Sequence, residues 1–329
     1  MVACAAANVT SGIASLLAVG AAPFVCIMDS LTVYEQNAPC GAYVTSTLGN
    51  VIMTAPILVF DSGVGGLSVL AHVRAQLPAH PFVFACDNAA LPYGTKPIDW
   101  LRERIVSVCQ AAVHETGACA LVVACNTAST VALDDLRRAL DIPVIGTVPA
   151  VKPAAEQSQS GVIGVLATTT TINGAYLQRL IQQFAAQCEV VNIAADALVG
   201  QAERKLRGEV LDDAVLEAML APLWAHPKLD TVVLGCTHFP LVKEECERIA
   251  RAHGREAIRW LDSGAAIARR TADVLSDRTT VADDVVASDA SSGNYSLATA
   301  PERPGLEQAL AGMGVPPARR LMVEMVANA

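Results

Sequence analysis

Leu121-Val-Val-Ala-Cys-Asn-Thr-Ala128 and Val232-Val-Leu-Gly-Cys-Thr-His-Phe239 repeat one pattern. Each is a short apolar run, then a small residue, a cysteine, and residues bearing amide, hydroxyl or imidazole groups. An unbroken apolar run closed by small polar residues reads as a parallel strand buried on both faces and ending at a turn. Both copies place a cysteine, Cys125 or Cys236, just past the carboxyl end of such a strand. That is the edge at which open α/β sheets bind ligands. One such cysteine means little; two in matching contexts, one in each half of the chain, need a common explanation.

Working outward, strand and helix signals alternate from Pro56 onward. Ile57–Phe60 reads as a strand leading through Asp61-Ser-Gly-Val-Gly-Gly66 into a helix that runs to about Gln76. Strand Pro81–Ala85, helix Ile98–Glu115, the Cys125 strand, helix Val131–Leu140 and strand Pro143–Gly146 follow. The second half repeats the scheme: strand Gly161–Leu166, helix Tyr176–Ala186, strand Glu189–Ile193, helix Leu211–Trp224, the Cys236 strand and helix Val242–Ala252. Strand Ile258–Leu261 then meets Asp262-Ser-Gly264 and helix Ala265–Leu275. Alternation of this kind implies right-handed βαβ units and parallel sheets. Phe60-Asp-Ser-Gly63 is matched by Leu261-Asp-Ser-Gly264, so the expected fold is α/β, with two similar open parallel-sheet lobes of flavodoxin-like form facing each other across a cleft. The expected division is lobe A over 53–148 plus 261–329, and lobe B over 149–260. Residues 277–293, rich in Asp, Ser, Thr and Gly, read as a linker, and Tyr295–Ala298, Gly305–Gly312 and Arg319–Val326 as a closing strand-helix-strand.

Composition narrows the function classes. The chain has 329 residues, 53% hydrophobic and 17% charged, which excludes a disordered or fibrous protein. A net charge of −9 argues against nucleic acid and anionic membrane surfaces as partners. The ten cysteines are scattered without a Cys-x-x-Cys pair, so neither a zinc site nor a thioredoxin-like motif fits. Cys109 and Cys188, among apolar neighbours, read as core thiols. Residues 1–52 contain no Lys or Arg and only Asp29 and Glu35 as charges. That suits neither a secretory signal nor a transit peptide, and the apolar run Ile13–Met28 is too short and broken to span a membrane. The expectation is an extension upstream of the domain, or a misplaced start, in a cytoplasmic protein with free thiols.

Two thiols facing each other across a cleft suit the inversion of a carbon acid, which needs a base on one face and an acid on the other. A thiolate serves as the base if its pKa, ordinarily ~8.5, is brought toward neutral. Both cysteines are expected to precede a helix N-terminus, whose partial positive charge favours the thiolate. The plainer reading is a pair of buried structural thiols, and the matched contexts weigh against it.

The set Phe60-Asp-Ser-Gly-Val-Gly-Gly-Leu-Ser68, Asp87-Asn-Ala-Ala-Leu-Pro-Tyr-Gly94, Ala124-Cys-Asn-Thr-Ala128, Gly235-Cys-Thr-His-Phe-Pro240 and Asp262-Ser-Gly264 strongly resembles the glutamate racemases, cofactor-independent two-cysteine enzymes that make D-glutamate for peptidoglycan. The resemblance covers about residues 55 to 275, with the motifs in family order. It implies that Cys125 takes the α-proton of D-glutamate and Cys236 that of the L-enantiomer, with Asp61 and His238 assisting. Each assistant has a local alternative: Asp61 as a helix cap, His238 as a hydrogen-bonded wall residue. The resemblance also implies that Asp61, Ser62, Tyr93, Gly94, Asn126, Thr127, Thr168, Thr171, Thr237 and His238 bind substrate. None of these is an arginine, although glutamate carries two carboxylates; backbone N–H groups at strand-to-helix turns can hold an anion without a cation. Between Thr168 and Thr171 the family's usual Arg-Gly pair is Thr169-Thr170 here. Glu203 matches a family acidic residue near the cleft no better than it matches a solvated helix charge, and is left out of the expected site.

No metal, pyridoxal phosphate or nucleotide is expected: no lysine sits in a Schiff-base context, and no ligand spacing suggests a metal. The Gly-rich turn after Ile57–Phe60 lacks the last glycine of a dinucleotide fingerprint, Ser68 standing in its place. Aspartate racemases share the two-cysteine logic but typically carry Glu where this chain has His238. A two-lobed receptor would need no paired thiols. The expected partner is a small molecule, glutamate. A homodimer is left open, as is activation by a cell-wall precursor, which Lys152 in Val148-Pro-Ala-Val-Lys-Pro153 resembles.

Overall fold

The computed structural model describes residues 55–276 and 294–323. The N-terminal extension, the linker 277–293 and the end of the chain past residue 323 lie outside them. The chain builds two sheets whose strands are parallel throughout. The first begins β1 (Ile57–Asp61), α1 (Leu67–Gln76), β2 (Phe82–Cys86), α2 (Ile98–Thr116), β3 (Ala120–Val123), α3 (Asn126–Ala139), β4 (Val144–Gly146). The second runs α4 (Val151–Gln157), β5 (Val162–Ala167), α5 (Thr169–Ile172), α6 (Ala175–Phe184), β6 (Glu189–Ala194), α7 (Ala197–Leu206), α8 (Asp213–Trp224), β7 (Thr231–Leu234), α9 (Lys243–Ala252), β8 (Arg259–Leu261). The chain then returns to the first sheet through α10 (Gly264–Ser276), β9 (Tyr295–Ala298), α11 (Leu306–Gly312) and β10 (Ala318–Arg320).

Strand order explains where the site must lie. The first sheet runs β10-β9-β2-β1-β3-β4 and the second β6-β5-β7-β8. In each, the opening strand has its successor on one side and its third strand on the other. The two crossovers leave the opening strand in opposite directions, which opens a crevice at the strands' carboxyl ends. Asp61 and Cys125 stand on either side of the first crevice, Thr168 and Cys236 on either side of the second. The repeated sequence pattern is thus a repeated topology.

Alternate residues of each central strand feed opposite core layers. Ile57 and Val59 pack with α1 and α10, while Leu58 and Phe60 pack with α2 and α3. In the second sheet, Leu166 and Val232 face α7, α8 and α9, and Val165 and Val233 face α4 and α6. Helix α10 follows the last strand of the second sheet yet buries Ile267, Ala268 and Leu275 in the first sheet's core, so the chain crosses back at Asp262. Among the described residues no helix is long and apolar enough to cross a membrane.

Four local expectations are corrected. Helix α3 starts at Asn126 rather than Val131, because the Cys125 sulfur accepts from the Ala128 N–H and caps it. Cys236 precedes a 3₁₀ turn over Phe239–Val242 and not an α-helix, with Pro240 in its first positions, where a missing N–H costs nothing. Helices α4, α5 and α7 lie between the expected elements. Cys188 is only half-buried, whereas Cys109 is a core thiol.

Candidate active site

The first half of the site is made by the β1 and β3 ends. Asp61 is fully buried, and its Oδ2 accepts from the N–H groups of Gly66 at 2.9 Å and Gly63 at 3.3 Å. It therefore does close the Gly-rich turn, and it also receives the Thr237 hydroxyl at 3.3 Å from the other lobe. Burial pushes its carboxyl up, and the charge of His238 with the backbone N–H groups offsets part of that. A Cβ on Gly66 would lie 2.5 Å from that of Asp61, and one on Gly65 would lie 2.7 Å from Thr237 Oγ1, so the loop's glycines let it seat both its own carboxylate and the opposite lobe.

The Cys125 sulfur lies 3.4 Å from the Ala128 N–H and 3.7 Å from Ser62 Oγ. Burial, reinforced by the negative charge of Asp61, pushes its thiol up despite the helix N-terminus and these two hydrogen bonds. The expectation that a helix end alone would favour the thiolate is corrected here: desolvation of a sulfur inside the cleft outweighs one N–H. Asn126 Oδ1 is buried and has no hydrogen-bond partner. Buried acceptors are nearly always paired, so an unpaired one in a cavity wall marks a place for a ligand donor.

The second half is made by the β5 and β7 ends. Cys236 Sγ lies 3.9 Å from His238 Nδ1, and His238 Nε2 lies 2.9 Å from Glu203 Oε1 on α7. Burial opposes a charge on His238, but the hydrogen bonds to Cys236 and Glu203 win and hold its pKa well above 6.5. Burial likewise opposes the Glu203 carboxylate, and the imidazole hydrogen bond brings its pKa below the ordinary value. With both ring nitrogens protonated, Nε2–H donates to Glu203 and Nδ1–H points to the Cys236 sulfur. The two cysteines are thus served differently, one by a helix end, the other by a carboxylate-anchored imidazolium. In the sequence Glu203 reads equally well as a solvated helix charge, and only the structure shows it turned to His238. Its position one turn from the helix end, on the face that buries Leu198, Val199 and Ala202, is the signal that was missed.

A cavity of about 20 Å³ is lined by Ser62, Tyr93, Gly94, Asn126, Thr127, Thr168, Thr237, His238 and both cysteines, with Leu91, Pro92 and Val199 as apolar wall. Asp61 and Thr171 lie one layer behind it. Thr171 continues a hydroxyl chain across the lobes, 3.2 Å from Thr168, which is 3.1 Å from Thr127. Tyr93 turns its hydroxyl away, donating to Asp87 at 2.8 Å, so only its ring faces the cavity. Thr169 binds Asp196 through its N–H and hydroxyl, and Thr170 donates to the Gly94 carbonyl at 2.8 Å. A second cavity of about 310 Å³, lined by Gly63, Asn88, Glu203, Arg207 and Arg303 among others, lies behind Glu203 and contains neither thiol. One thiol from each sheet in a single enclosed space can act on the two faces of one carbon.

Comparison with known proteins places the chain in a family. The Asp/Glu/Hydantoin racemase family model matches residues 65–271. Glutamate racemase from Yersinia enterocolitica is 41% identical over 274 residues, 82% of this chain and 93% of that protein. Escherichia coli glutamate racemase is 42% identical over 291 residues, 88% of this chain and 97% of its own length. The E. coli enzyme solved with L-glutamate and the activator UDP-MurNAc-Ala superposes with a TM-score of 0.72 at 41% identity, covering 82% of this chain and 99% of that one. The Aquifex pyrophilus enzyme superposes with a TM-score of 0.60 at 30% identity, covering 81% of this chain and 98% of its own. The chain belongs to the glutamate racemases of the Asp/Glu/Hydantoin racemase family.

Proposed function

We propose that this protein interconverts L- and D-glutamate through Cys125 and Cys236, supplying D-glutamate for peptidoglycan. The observation that carries the mechanism is the convergence of one thiol from each sheet on one cavity. With D-glutamate bound, the Cys125 thiolate takes the α-proton: the Cα–H bond breaks, an S–H bond forms, and the electron pair moves into the α-carboxylate. Cys236 gives its thiol proton to the opposite face of Cα, leaving the L-enantiomer and a thiolate beside the His238 imidazolium. The reverse reaction exchanges the roles. Protons and electrons balance on the two thiols, and exchange with water restores the starting form.

The remaining wall residues hold the substrate. Asn126 Oδ1, buried without a partner in the protein, accepts from the α-ammonium, and the Thr127, Thr168 and Thr237 hydroxyls with N–H groups at the start of α3 hold carboxylates. The same reading includes a cytoplasmic setting and activation by a cell-wall precursor, since the solved E. coli relative carries one. Lys152 stands exposed at the start of α4, 3.9 Å from Glu156 and above the Phe184 ring.

Circular dichroism of purified protein with either enantiomer tests the function. The wild type should bring the signal of L- or D-glutamate to zero, and Cys125→Ser and Cys236→Ser should each lose on the order of 10³-fold or more in rate. Full activity in either variant contradicts the two-thiol mechanism.

A further inference from the structure

The active-site wall Leu91–Gly94 is held from behind by a buried ionic cluster that the mechanism does not use. Asp87 sits at the end of β2 with its side chain fully enclosed. Its Oδ2 accepts from the Tyr93 hydroxyl at 2.8 Å and Arg104 Nε at 2.9 Å. Its Oδ1 accepts from Arg104 Nη2 at 2.7 Å and the Thr299 hydroxyl at 2.8 Å. A carboxylate has about four lone-pair positions, and here each one is filled. The donors come from three places: the wall itself, helix α2, and the chain just past β9 in the C-terminal segment. The same segment grips the next residue, since Asn88 Nδ2 donates to the Ala300 carbonyl at 2.8 Å and Asn88 Oδ1 accepts from the Ala300 N–H at 2.9 Å.

A buried ion pair is a poor way to gain stability, because desolvating both charges consumes most of their attraction. Its distinctive property is direction: a forked guanidinium on a carboxylate fixes the orientation of both. Here one of the four positions on the fixed carboxylate is taken by the hydroxyl of Tyr93. The Tyr93 ring and Gly94 line the cavity that contains both cysteines, and the Gly94 carbonyl accepts from Thr170 of the opposite lobe. A wall free to move would blur both the cavity shape and the lobe contact.

We propose that Asp87, Arg104 and Thr299 are positioning residues for racemisation, holding the Tyr93–Gly94 wall against the substrate through the Tyr93 hydroxyl. The inference rests on the glutamate racemase reading of this site. It gives the C-terminal segment a task in catalysis, although none of its described residues lines the cavity.

A double-mutant cycle on full-length protein tests it, with KM, kcat and Tm measured for wild type, Thr299→Val, Tyr93→Phe and the double variant. Each single change should raise KM for glutamate several-fold, up to about tenfold, with kcat within about twofold. The double variant should be no worse than the worse single, because both cut one path. Thr299→Ser, which keeps the hydroxyl, should restore the wild-type KM. A lowered Tm with KM unmoved, or effects of Thr299→Val and Tyr93→Phe that multiply, would overturn the proposal. If Thr299→Val does not fold, Arg104→Lys carries the same KM prediction, since lysine keeps the charge and loses the fork. A wild type that fails to racemise glutamate contradicts the function itself; unchanged KM in the variants of an active wild type contradicts only the positioning role.

Discussion

At the scale of single residues, Asn126 shows how a binding site costs stability. Its Oδ1 is buried without a partner, and an unpaired buried acceptor costs about 1–3 kcal/mol. Leucine shares asparagine's branched skeleton and brings no polar atom. Asn126→Leu should therefore keep or raise Tm, by about 2–4 °C for each kcal/mol recovered in a chain of this size. It should also raise KM for glutamate by roughly tenfold or more, as the ammonium loses its acceptor. Calorimetry beside steady-state kinetics reads both, and a variant that is destabilised while binding normally would make Asn126 a structural residue. The same scale explains the cysteines. Burial, reinforced by the charge of Asp61, pushes the Cys125 thiol up, against the N–H of Ala128 and the Ser62 hydroxyl that favour its thiolate.

At the scale of elements, helix α7 and the turn after β7 form one unit. Helix α7 carries Glu203 to His238 Nε2, 2.9 Å away, and His238 turns its other nitrogen to Cys236. The raised His238 pKa sets the sign of the pH dependence. In Glu203→Gln the carboxylate is gone, the imidazolium loses its proton more easily, and the alkaline limb of kcat/KM should move to lower pH. The shift must be equal in both directions, because the enantiomers are equally stable. Stability follows the same sign. The pair contributes fully where both groups are charged even in the unfolded chain, between the ordinary values of 4.5 for the carboxyl and 6.5 for the imidazole. That contribution fades as pH rises from 6.5 through the raised imidazole value, and as it falls from 4.5 through the lowered carboxyl value. An alkaline limb that stays in place in Glu203→Gln would remove Glu203 from the mechanism.

The elements also show what the sequence could reveal. The buried strands were legible because their apolar runs are continuous, as both-face burial demands. The cysteines were legible because they follow those runs directly. Helix α7 was not: Leu198, Val199 and Ala202 are spaced for a helix, but the segment has few large apolar residues and follows a strand whose exposed residues blur the boundary. The 3₁₀ turn after Cys236 was hidden for another reason, since the helical period of α9 runs upstream into it. Tyr93 could be named from its motif, but not the direction of its hydroxyl, because the acceptor Asp87 is fixed by Arg104 and Thr299 from distant parts of the chain.

At the scale of the whole molecule, two lobes that share a four-strand order, β2-β1-β3-β4 and β6-β5-β7-β8, meet at the carboxyl ends of their strands. Contacts across the cleft tie them: Ser68 Oγ donates to the Thr237 carbonyl at 3.0 Å, Thr170 to Gly94, and Thr127 pairs with Thr168. The cavity between them is lined from both sheets and holds both thiols, and its walls limit the water that reaches the carbanion. Enclosure makes the source of the returning proton a direct readout of the design. Proton NMR at initial rates in D₂O measures it from both enantiomers. Two opposed thiols predict that the product carries deuterium at Cα from the first turnover while the remaining substrate keeps its proton, in each direction. A product that keeps its original proton, or substrate that exchanges as fast as it inverts, would show a single base working on both faces and would contradict the account.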